Sequence, residues 1–436
     1  MTTTSIYQSR VTTAQEAVKV IKSGHRVFLT GNVSVPQKLL AALVEYAPGL
    51  KDVEICQALT VGSADYVGPE MEGHLRVNTM FISANIRKAV QEGRADFTPV
   101  LLSEFPLLFK RGVLPLDVAM IHVSTPDEHG FCSLGVEVGL TKSAAESAKM
   151  VIAEVNEQMP RTLGDSFIHV SKLTHIVPVN YPIPEHIMGG EGNSEIVEKI
   201  AGHVATLIPD GATMQLGIGS IPDAVLKYLY DKKDLGIHTE LFSDGVIDLF
   251  NAGVLTSARK SLHPGKIVAG FILGTKRLYK WVHDNPLIEM HPTEYVNDPF
   301  IIAQNDRMVC VNSAIEVDLT GQICADSIGP KLFSGVGGQL DFIYGASRSK
   351  GGVPIIALPS VATLRDGTKL SKIVTMLKPG AGVVTTRNHI RYVVTEHGVA
   401  ELYGKTIRQR VQALINVADP QFRDELTKQA KDLHYI

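Results

Sequence analysis

Short apolar runs rich in β-branched side chains alternate along this chain with stretches in which apolar residues recur at helical spacing. Residues 26–29 predict a strand that runs into a turn at Gly31, and residues 36–46 predict the helix that follows. Strand, turn and helix recur, with the strand predicted at residues 212–216, the turn at 217–221 and the helix at 222–230. Because strand–turn–helix units in this order are typical of mostly parallel sheets, the pattern predicts an α/β fold.

Other segments carry further structural signals. Glycines crowd the second part of residues 182–193, which predicts an exposed connection between two halves of the chain. The charged, amphipathic pattern of residues 419–431 predicts a helix with a solvated face. Short apolar runs predict additional strands at residues 118–123, 150–155, 267–272, 308–311, 352–358 and 392–395.

The strand–turn–helix pattern occurs twice, each time with a glutamate downstream. Gly31 and Gly217 open the two turns, and the spacing of 186 residues between them also separates Glu54 from Glu240. Short similarities between turn sequences arise by chance in α/β proteins. A shared spacing between the turn and the carboxylate nevertheless favours an internal duplication. The second copy is richer in glycine, so we expect the chemistry to lie there.

Length, charge and cysteine usage narrow the class of protein. At 436 residues the chain is long enough for two domains, which we place at residues 1–185 and 194–436. The net charge of −3 gives no general attraction to nucleic acid or to an anionic membrane. No stretch approaches the ~20 apolar residues of a membrane span, and the polar start predicts no signal peptide. The four cysteines lie far apart without a CxxC pair, which predicts a reducing, cytoplasmic location.

The segment Gly217-Ile218-Gly219-Ser220-Ile221-Pro222 is the strongest local signal. Its glycines allow backbone and ligand to approach closely, and the proline suits the first turn of a helix whose free N–H groups bind anions. A purely structural turn is equally consistent with these residues. A dinucleotide-binding fingerprint would need glycine at position 222, so a nicotinamide dehydrogenase is a weaker interpretation.

A carboxylate and a second glycine cluster follow this turn. Glu240 ends an apolar run, a position that suits an ion-pair partner, a general base or a nucleophile. The glycines of residues 334–339 predict either N–H groups turned toward a ligand, as in an oxyanion hole, or a tight loop. Basic residues nearby, among them Arg365, are candidate phosphate contacts or solvated charges. The histidines show no metal-ligand spacing, so we expect no metal site.

The chain resembles the acetyl-CoA hydrolase/transferase family of coenzyme A transferases (family I) in four motifs, at residues 217–222, 239–245, 312–321 and 334–342. The resemblance covers nearly the whole chain and is strongest to the branch that acts on 4-hydroxybutyrate or on butyrate and acetate. It implies two tandem, duplicated α/β CoA-transferase domains, with Glu240 carrying the covalent intermediates. Glu54 would then be its counterpart in the non-catalytic half.

The resemblance also implies contacts with coenzyme A. Ile315 and Gly338 match later CoA contacts of the family, and Arg365 stands where relatives often carry lysine. No cofactor is expected to be bound permanently, since acyl-CoA is a substrate, and a homo-oligomer (dimer or tetramer) is typical of the family. The CoA-binding stretch before the catalytic glutamate matches Gln215, Leu216, Gly217, Ile218 and Gly219.

The implied reaction transfers coenzyme A from an acyl-CoA to a short-chain carboxylate of the acetate, butyrate or 4-hydroxybutyrate class. It proceeds by a ping-pong mechanism through a glutamyl-CoA thioester. An acyl-CoA hydrolase on the same scaffold and a non-catalytic module that senses CoA or another ligand are the alternatives. Candidates for lining an acyl pocket in the first half are His25, Asn32, Gln57 and Asn85.

Overall fold

The computed structural model describes residues 3–186, 194–217 and 219–436. The glycine-rich part of the predicted connection therefore lies outside the described residues. The chain divides into unit 1, Met1–Ile187 with Val268–Val296, and unit 2, Met188–Ile267 with Asn297–Ile436. The placement of two evolutionary halves at residues 1–185 and 194–436 stays a prediction.

Unit 1 is built on a sheet of seven strands, and neighbouring strands run parallel throughout. Val118–Ser124 is buried along its whole length, as expected for a continuous apolar run in a parallel sheet covered on both faces. The order across the sheet is Asp96–Phe97, Leu75–Phe81, Val53–Ala58, Arg26–Leu29, Val118–Ser124, Met150–Asn156 and His175–Val179.

Helices and short strands complete unit 1. Thr13 caps the helix Ala14–Ala17 by accepting a hydrogen bond from the Glu16 N–H at 3.2 Å. The α-helices are Thr3–Arg10, Ala14–Ala17, Gln37–Tyr46, Arg87–Gln91, Phe105–Lys110 and Thr141–Ser147, and the 3₁₀ turns are Val18–Val20, Ala47–Gly49, Asp65–Val67, Pro69–Met71 and Val170–Lys172. Phe131–Ser133 pairs antiparallel with Phe167–His169. Residues 267–296 hold the strands Ile267–Ile272 and Ile288–Met290 and the helices Lys276–Val282 and Thr293–Val296.

Unit 2 repeats the parallel arrangement. Within it, adjacent strands follow the order Gly236–Phe242, Thr213–Leu216, Met308–Asn312, Val353–Ala357, Tyr392–Thr395 and Gly398–Glu401, of which only the last pair is antiparallel. Its helices are Ser194–Thr206, Ser220–Lys227, Gly245–Asn251, Pro299–Ile302, Gln339–Arg348, Ile407–Val417 and Pro420–Asp432. Smaller pairings join Glu316–Asp318 to Ile323–Cys324 and Ile373–Val374, Ser327–Ile328 to Lys331–Leu332, and Val361–Thr363 to Lys369–Ser371.

The two units share their strand order around the predicted turns. The strand before Gly31 lies between Val53–Ala58 and Val118–Ser124, and the strand before Gly217 lies between Gly236–Phe242 and Met308–Asn312. The predicted fold class, tandem and duplicated α/β domains with mostly parallel sheets, is therefore confirmed. Because parallel strands end at one edge of a sheet, residues that follow them meet there, which is where ligands bind in such folds.

The predicted elements are found with small shifts of their ends. The helix expected at residues 36–46 is Gln37–Tyr46, and the one expected at residues 419–431 is Pro420–Asp432. All four cysteines are buried and free. Among the described residues, no helix combines the length and the apolar character needed to cross a membrane.

Candidate active site

Glu240 is the fifth residue of the seven-residue strand Gly236–Phe242, so its side chain lies toward the carboxyl end of the sheet in unit 2. The residues on either side, Thr239 and Leu241, are buried, whereas Glu240 keeps part of its surface exposed. Thr239 Oγ1 donates to the Leu241 carbonyl at 2.8 Å. This hydrogen bond restrains the backbone on both sides of Glu240. The carboxylate is thus held on a rigid strand and remains reachable.

Two groups contact one oxygen of this carboxylate. Asn297 is fully buried, and its Nδ2 donates a hydrogen bond to Glu240 Oε2 at 3.1 Å. The backbone of Gly338 lies so close that a Cβ there would overlap both Glu240 Oε2 and Asn297 Nδ2. Gly338 is also the N-cap of the ten-residue helix Gln339–Arg348. Only glycine fits this position, and it brings a helix N-terminus, with its partial positive charge, beside the carboxylate.

The electrostatic setting of Glu240 favours a reactive carboxylate. Burial raises the pKa of its carboxyl group, and the hydrogen bond from Asn297 opposes part of that rise. Among the described residues, no lysine, arginine or histidine forms an ion pair with Glu240. Its negative charge is therefore balanced only by an amide and by backbone dipoles.

The glycine turn lies on the strand next to Glu240. Gln215 is fully buried on Thr213–Leu216, and Asn312 Nδ2 donates to its Oε1 at 3.0 Å. The Gly217 N–H donates to the Val311 carbonyl at 3.3 Å, while Leu216 is buried. Ile218, part of the predicted CoA-binding stretch, lies outside the described residues.

Gly219 ends the turn and begins a helix. Its φ of 118° is in the region that favours glycine, and it is the N-cap of Ser220–Lys227. No described atom lies within 4 Å of the position that a Cβ would take, so the turn faces open space. Helix N–H groups next to open space are suited to an anionic ligand. The helix starts two residues earlier than its predicted start at Pro222.

The two remaining CoA-contact candidates lie in different settings. Ile315 follows the strand Met308–Asn312, is partly exposed, and donates its N–H to the Cys324 carbonyl at 2.8 Å. Arg365 lies in the exposed turn of the hairpin formed by Val361–Thr363 and Lys369–Ser371. Within the described part of the chain, Arg365 forms no hydrogen bond or ion pair. The contacts of both residues with coenzyme A stay predictions.

The prediction that Glu54 is the counterpart of Glu240 is wrong. Val27 and Thr213 each lie four residues before the glycine of their turn, and their partners across the sheet are Ile55 and Gly236. By strand register, Ile55 corresponds to Gly236, so Glu54 corresponds to Leu235, five residues before Glu240. The equal sequence spacing arose because the turn and helix between the paired strands differ in length, so spacing along the chain does not report position on the sheet.

Sequence reasoning missed Asn297. The residue precedes Asp298 and Pro299, and Asp298 caps the short helix Pro299–Ile302 by accepting the Phe300 N–H at 2.7 Å. The sequence Asn-Asp-Pro marks a helix start, which accounts for the aspartate and the proline but not for a buried asparagine. Asn297 and Glu240 lie 57 residues apart, and only the folding of unit 2 brings them together.

The first-half pocket candidates do not form one cluster. Asn32 and Gln57 are buried near the carboxyl ends of their strands. Asn85 donates to the Gly62 carbonyl at 3.1 Å. His25 lies before the amino end of Arg26–Leu29, where its Nδ1 accepts the Lys22 N–H at 3.2 Å. His25 is therefore at the opposite end of the sheet from Asn32 and Gln57.

Comparison with known proteins gives consistent relatives over the full length. Models of the acetyl-CoA hydrolase/transferase N-terminal and C-terminal domains match residues 1–186 and 274–430. A 4-hydroxybutyrate coenzyme A transferase of Clostridium kluyveri is 51% identical over 98% of both chains. A succinyl-CoA:acetate/propanoyl-CoA:succinate CoA transferase of Fasciola hepatica is 48% identical over 96% of this chain and 87% of the relative. The crystal structure of a 4-hydroxybutyrate CoA-transferase from Porphyromonas gingivalis has a TM-score of 0.84 and 42% identity, covering 98% of this chain and 99% of the other.

Proposed function

The chain belongs to the acetyl-CoA hydrolase/transferase family, and from this premise we propose that it transfers coenzyme A from an acyl-CoA to a short-chain carboxylate. The acids expected are acetate, butyrate or 4-hydroxybutyrate. The observation that carries the proposal is the setting of Glu240, a carboxylate with no cationic partner among the described residues and with two groups against one of its oxygens. We also propose a cytoplasmic homo-oligomer, a dimer or tetramer.

Glu240 acts as the nucleophile in the proposed reaction. Its free oxygen, Oε1, attacks the thioester carbonyl carbon of acyl-CoA, the C–S bond breaks, and CoA leaves as the thiolate. This step leaves a mixed anhydride between the acyl group and Glu240. The thiolate then attacks the Glu240 carbonyl carbon, the C–O bond to the acyl group breaks, and the first acid departs. The product is a glutamyl-CoA thioester.

The second half of the reaction runs these steps in reverse. The acceptor carboxylate attacks the glutamyl thioester and expels the thiolate, forming a new mixed anhydride. The thiolate attacks the acyl carbon of that anhydride, which releases the new acyl-CoA and returns Glu240 as a carboxylate. Bonds and charges balance without an external oxidant, reductant or base. Covalent catalysis thus divides one difficult exchange into easier steps.

Asn297 and Gly338 stabilise the charge that develops on Glu240. When the thiolate attacks the Glu240 carbonyl carbon, that carbonyl oxygen becomes an oxyanion. Oε2 is the oxygen that accepts from Asn297 Nδ2 and lies against Gly338 at the start of a helix, so we assign it as the oxyanion. Loss of one donor in an oxyanion hole costs about 3–4 kcal/mol of transition-state stabilisation.

Two further features support the assignment of Glu240 as the nucleophile. They are the raised pKa of its carboxyl group and the glycine turn on the neighbouring strand. Burial that raises the pKa of Glu240 also removes water from its oxygens, so less solvent has to be displaced before the carboxylate attacks. The turn ending at Gly219 offers helix N–H groups beside open space for an anionic part of acyl-CoA. Binding of CoA far from the reacting carbon can then drive orientation at Glu240.

Chemical trapping tests the covalent intermediate. The enzyme is incubated with butyryl-CoA and no acceptor acid, and borohydride is added to reduce a glutamyl thioester to the alcohol. Mass spectrometry should find the change on the peptide that contains Glu240, and neither the Glu240→Gln variant nor enzyme without butyryl-CoA should carry it. An unmodified Glu240 peptide in an enzyme that transfers CoA would overturn the assignment.

The same preparation distinguishes transfer from the two alternatives. Glu240 keeps part of its surface exposed, so hydrolysis by water has to be measured directly. We expect free thiol to form from butyryl-CoA far more slowly than acetyl-CoA forms when acetate is added. Thiol release that is fast and indifferent to acetate would mean a hydrolase, and saturable CoA binding without turnover would mean a ligand-sensing module.

A further inference from the structure

Gln339 is the first residue of the helix Gln339–Arg348, directly after Gly338, and its side chain is only 8% exposed. Both ends of its amide are occupied. Nε2 donates to the Ser313 carbonyl at 2.6 Å, and Oε1 accepts from Thr385 Oγ1 at 3.1 Å. One buried amide therefore holds three chain segments at the start of the helix that lies against Glu240.

The segment at Ser313 leads to one of the predicted CoA contacts. Ser313 follows the strand Met308–Asn312 and precedes Ile315 by two residues. On its other side, Asn312 pairs with the buried Gln215. Two side-chain hydrogen bonds, together with the peptide bonds between sequence neighbours, thus connect Gln215, Asn312, Ser313 and Gln339 to Gly338.

The segment at Thr385, which bonds the other end of the Gln339 amide, also contacts the strand beside Ile315. Thr385 is fully buried, and its carbonyl accepts the Ile323 N–H at 2.9 Å. Ile323 belongs to the strand Ile323–Cys324, whose Cys324 carbonyl accepts the Ile315 N–H at 2.8 Å. Gln339 is therefore bonded directly to Ser313, just before Ile315, and through Thr385 to Ile323, which neighbours the Cys324 carbonyl that Ile315 contacts.

Gly338 needs such an anchor. It has no side chain with which to fix its own position, and the preceding Gly337 has a φ of 59°, so this stretch of backbone is intrinsically permissive. We propose that Gln339 is a positioning residue for the transfer reaction, whose tethered amide sets where the Gly338 backbone meets Glu240. The inference rests on the proposed function, because it concerns the site of covalent transfer.

We call the two hydrogen bonds of the Gln339 side chain, to Ser313 and to Thr385, the tether. Their donor and acceptor pattern explains why the side chain is an amide. The side chain donates to a carbonyl at one end and accepts from a hydroxyl at the other. A carboxylate accepts but cannot donate, so it would face the Ser313 carbonyl with two acceptors in contact. A protonated carboxylic acid can do both. Exchanging the amide for a carboxyl group therefore makes the tether depend on pH.

The experiment compares Gln339→Glu and Gln339→Met with the wild type in acetate-dependent CoA transfer. At pH 8 we expect both variants to lose about 100-fold in kcat with KM for butyryl-CoA changed by roughly threefold or less, since a displacement of about 1 Å in a catalytic group has costs of this size. As the pH falls, Gln339→Glu should recover relative to wild type, and Gln339→Met should not. Gln421→Glu, at an exposed glutamine, is the matched control and should keep wild-type kcat.

Other charged or titratable groups lie in the same region, so the readout is the ratio of variant to wild type at each pH. They are Glu240 against Gly338, Asp341 on the same helix, Glu316 on the segment after Ser313, and Arg387 and His389 after Thr385. All of them are present in both proteins. A recovery in the ratio therefore reports the introduced carboxyl group.

A second variant guards against a failure to fold. Thr385→Val removes only the hydroxyl that donates to Gln339 Oε1, and we expect a loss in kcat of about tenfold, as for one hydrogen bond. Wild-type kcat in Gln339→Met or in Thr385→Val would overturn the positioning role, as would the lack of any pH-dependent recovery in Gln339→Glu. These results differ from a failure of the proposed function, in which the wild type itself forms no borohydride-sensitive adduct.

Discussion

Two glutamates on corresponding strands of the two units have opposite surroundings. Glu54 in unit 1 accepts from Arg26 Nε at 2.8 Å and from Asn78 Nδ2 at 2.9 Å, and it forms an ion pair with Arg26. Burial alone would raise the pKa of Glu54, but these hydrogen bonds outweigh it and lower the pKa. Glu240 in unit 2 has an amide in place of the cation, and its pKa is raised.

This difference in surroundings indicates which of the two carboxylates is better suited to act as a nucleophile. A carboxylate paired with arginine is stabilised in its charged form and is a poor nucleophile. Glu54 lies near the amino end of its strand, whereas Glu240 lies near the carboxyl end, where a helix begins at Gly338. The two sheets share their strand order, and the carboxylate without a cationic partner among the described residues lies at the edge where ligands bind in such folds.

The largest effect that we expect from this comparison is the loss of CoA-transfer activity when Glu240 is replaced. Glu240→Gln should lower kcat for CoA transfer by about 10⁴-fold or more, as for removal of other covalent nucleophiles, while Glu54→Gln should stay within about threefold of wild type. Steady-state kinetics with butyryl-CoA and acetate measure both. Equal losses in the two variants would show that the two glutamates do not differ in role.

The contact at Gly338 predicts the next largest effect. In Gly338→Ala the added methyl group would overlap Glu240 Oε2 and Asn297 Nδ2, and we expect kcat to fall by about 10²–10³-fold, the range for loss of an oxyanion donor. Gly49→Ala in unit 1 is the matched control, because a Cβ there would meet no described atom within 4 Å and the φ angle is not positive. The site assignment fails if Gly338→Ala transfers CoA at the wild-type rate.

The smallest effects concern stability and have opposite signs. A raised folded-state pKa means that ionised Glu240 destabilises the fold above the ordinary carboxyl pKa, so Glu240→Gln should raise Tm at pH 7 by about 1–3 °C. A lowered pKa means that ionised Glu54 stabilises the fold, so Glu54→Gln should lower Tm at pH 7 by a similar ~1–3 °C.

The pH dependence sharpens this last prediction. The stability that Glu54 contributes is lost as the pH falls through its lowered pKa, and the cost of ionising Glu240 disappears as the pH falls below its unfolded value. Both variants should therefore approach the wild-type Tm in acid, from opposite sides. Differential scanning fluorimetry from pH 7 to about pH 3, below the ordinary carboxyl pKa, measures the two trends. Shifts of the same sign at pH 7 would contradict the proposed surroundings.

Much of the fold could be predicted from local signals. Val118–Ser124 and Met150–Asn156 are continuous apolar runs, and such runs form buried parallel strands because both of their faces are covered. Helix ends were predictable where a capping side chain marked them, as Asp419 does for Pro420–Asp432 by accepting the Gln421 N–H. The helix Ser220–Lys227 was misplaced by two residues, because Gly219 rather than a polar side chain caps it.

Some features of the candidate site could be predicted from the sequence, and others required the structure. Glu240 and the glycines at 217, 219 and 338 could be named as candidates from the sequence, because glycine clusters and a strand-end carboxylate are local patterns, and the family resemblance implied their roles. The relation of Glu54 to Glu240 was wrong because register depends on the pairing of strands, which chain spacing does not fix. Asn297 was missed because its partner is distant along the chain.

The sequence by itself determined the α/β class and the duplicated strand–turn–helix units, since both depend on neighbouring residues whose propensities act locally. It also marked Glu240 as the candidate nucleophile, through the motifs of the family that it resembles. Only the tertiary structure decided which groups surround that carboxylate. Asn297 and Gly338 meet Glu240, and the amide of Gln339 holds the start of the helix that follows Gly338, because folding brings residues far apart along the chain to the carboxyl end of one strand. The shift in the Glu240 pKa follows from that meeting, because desolvation and hydrogen bonding are set by spatial neighbours.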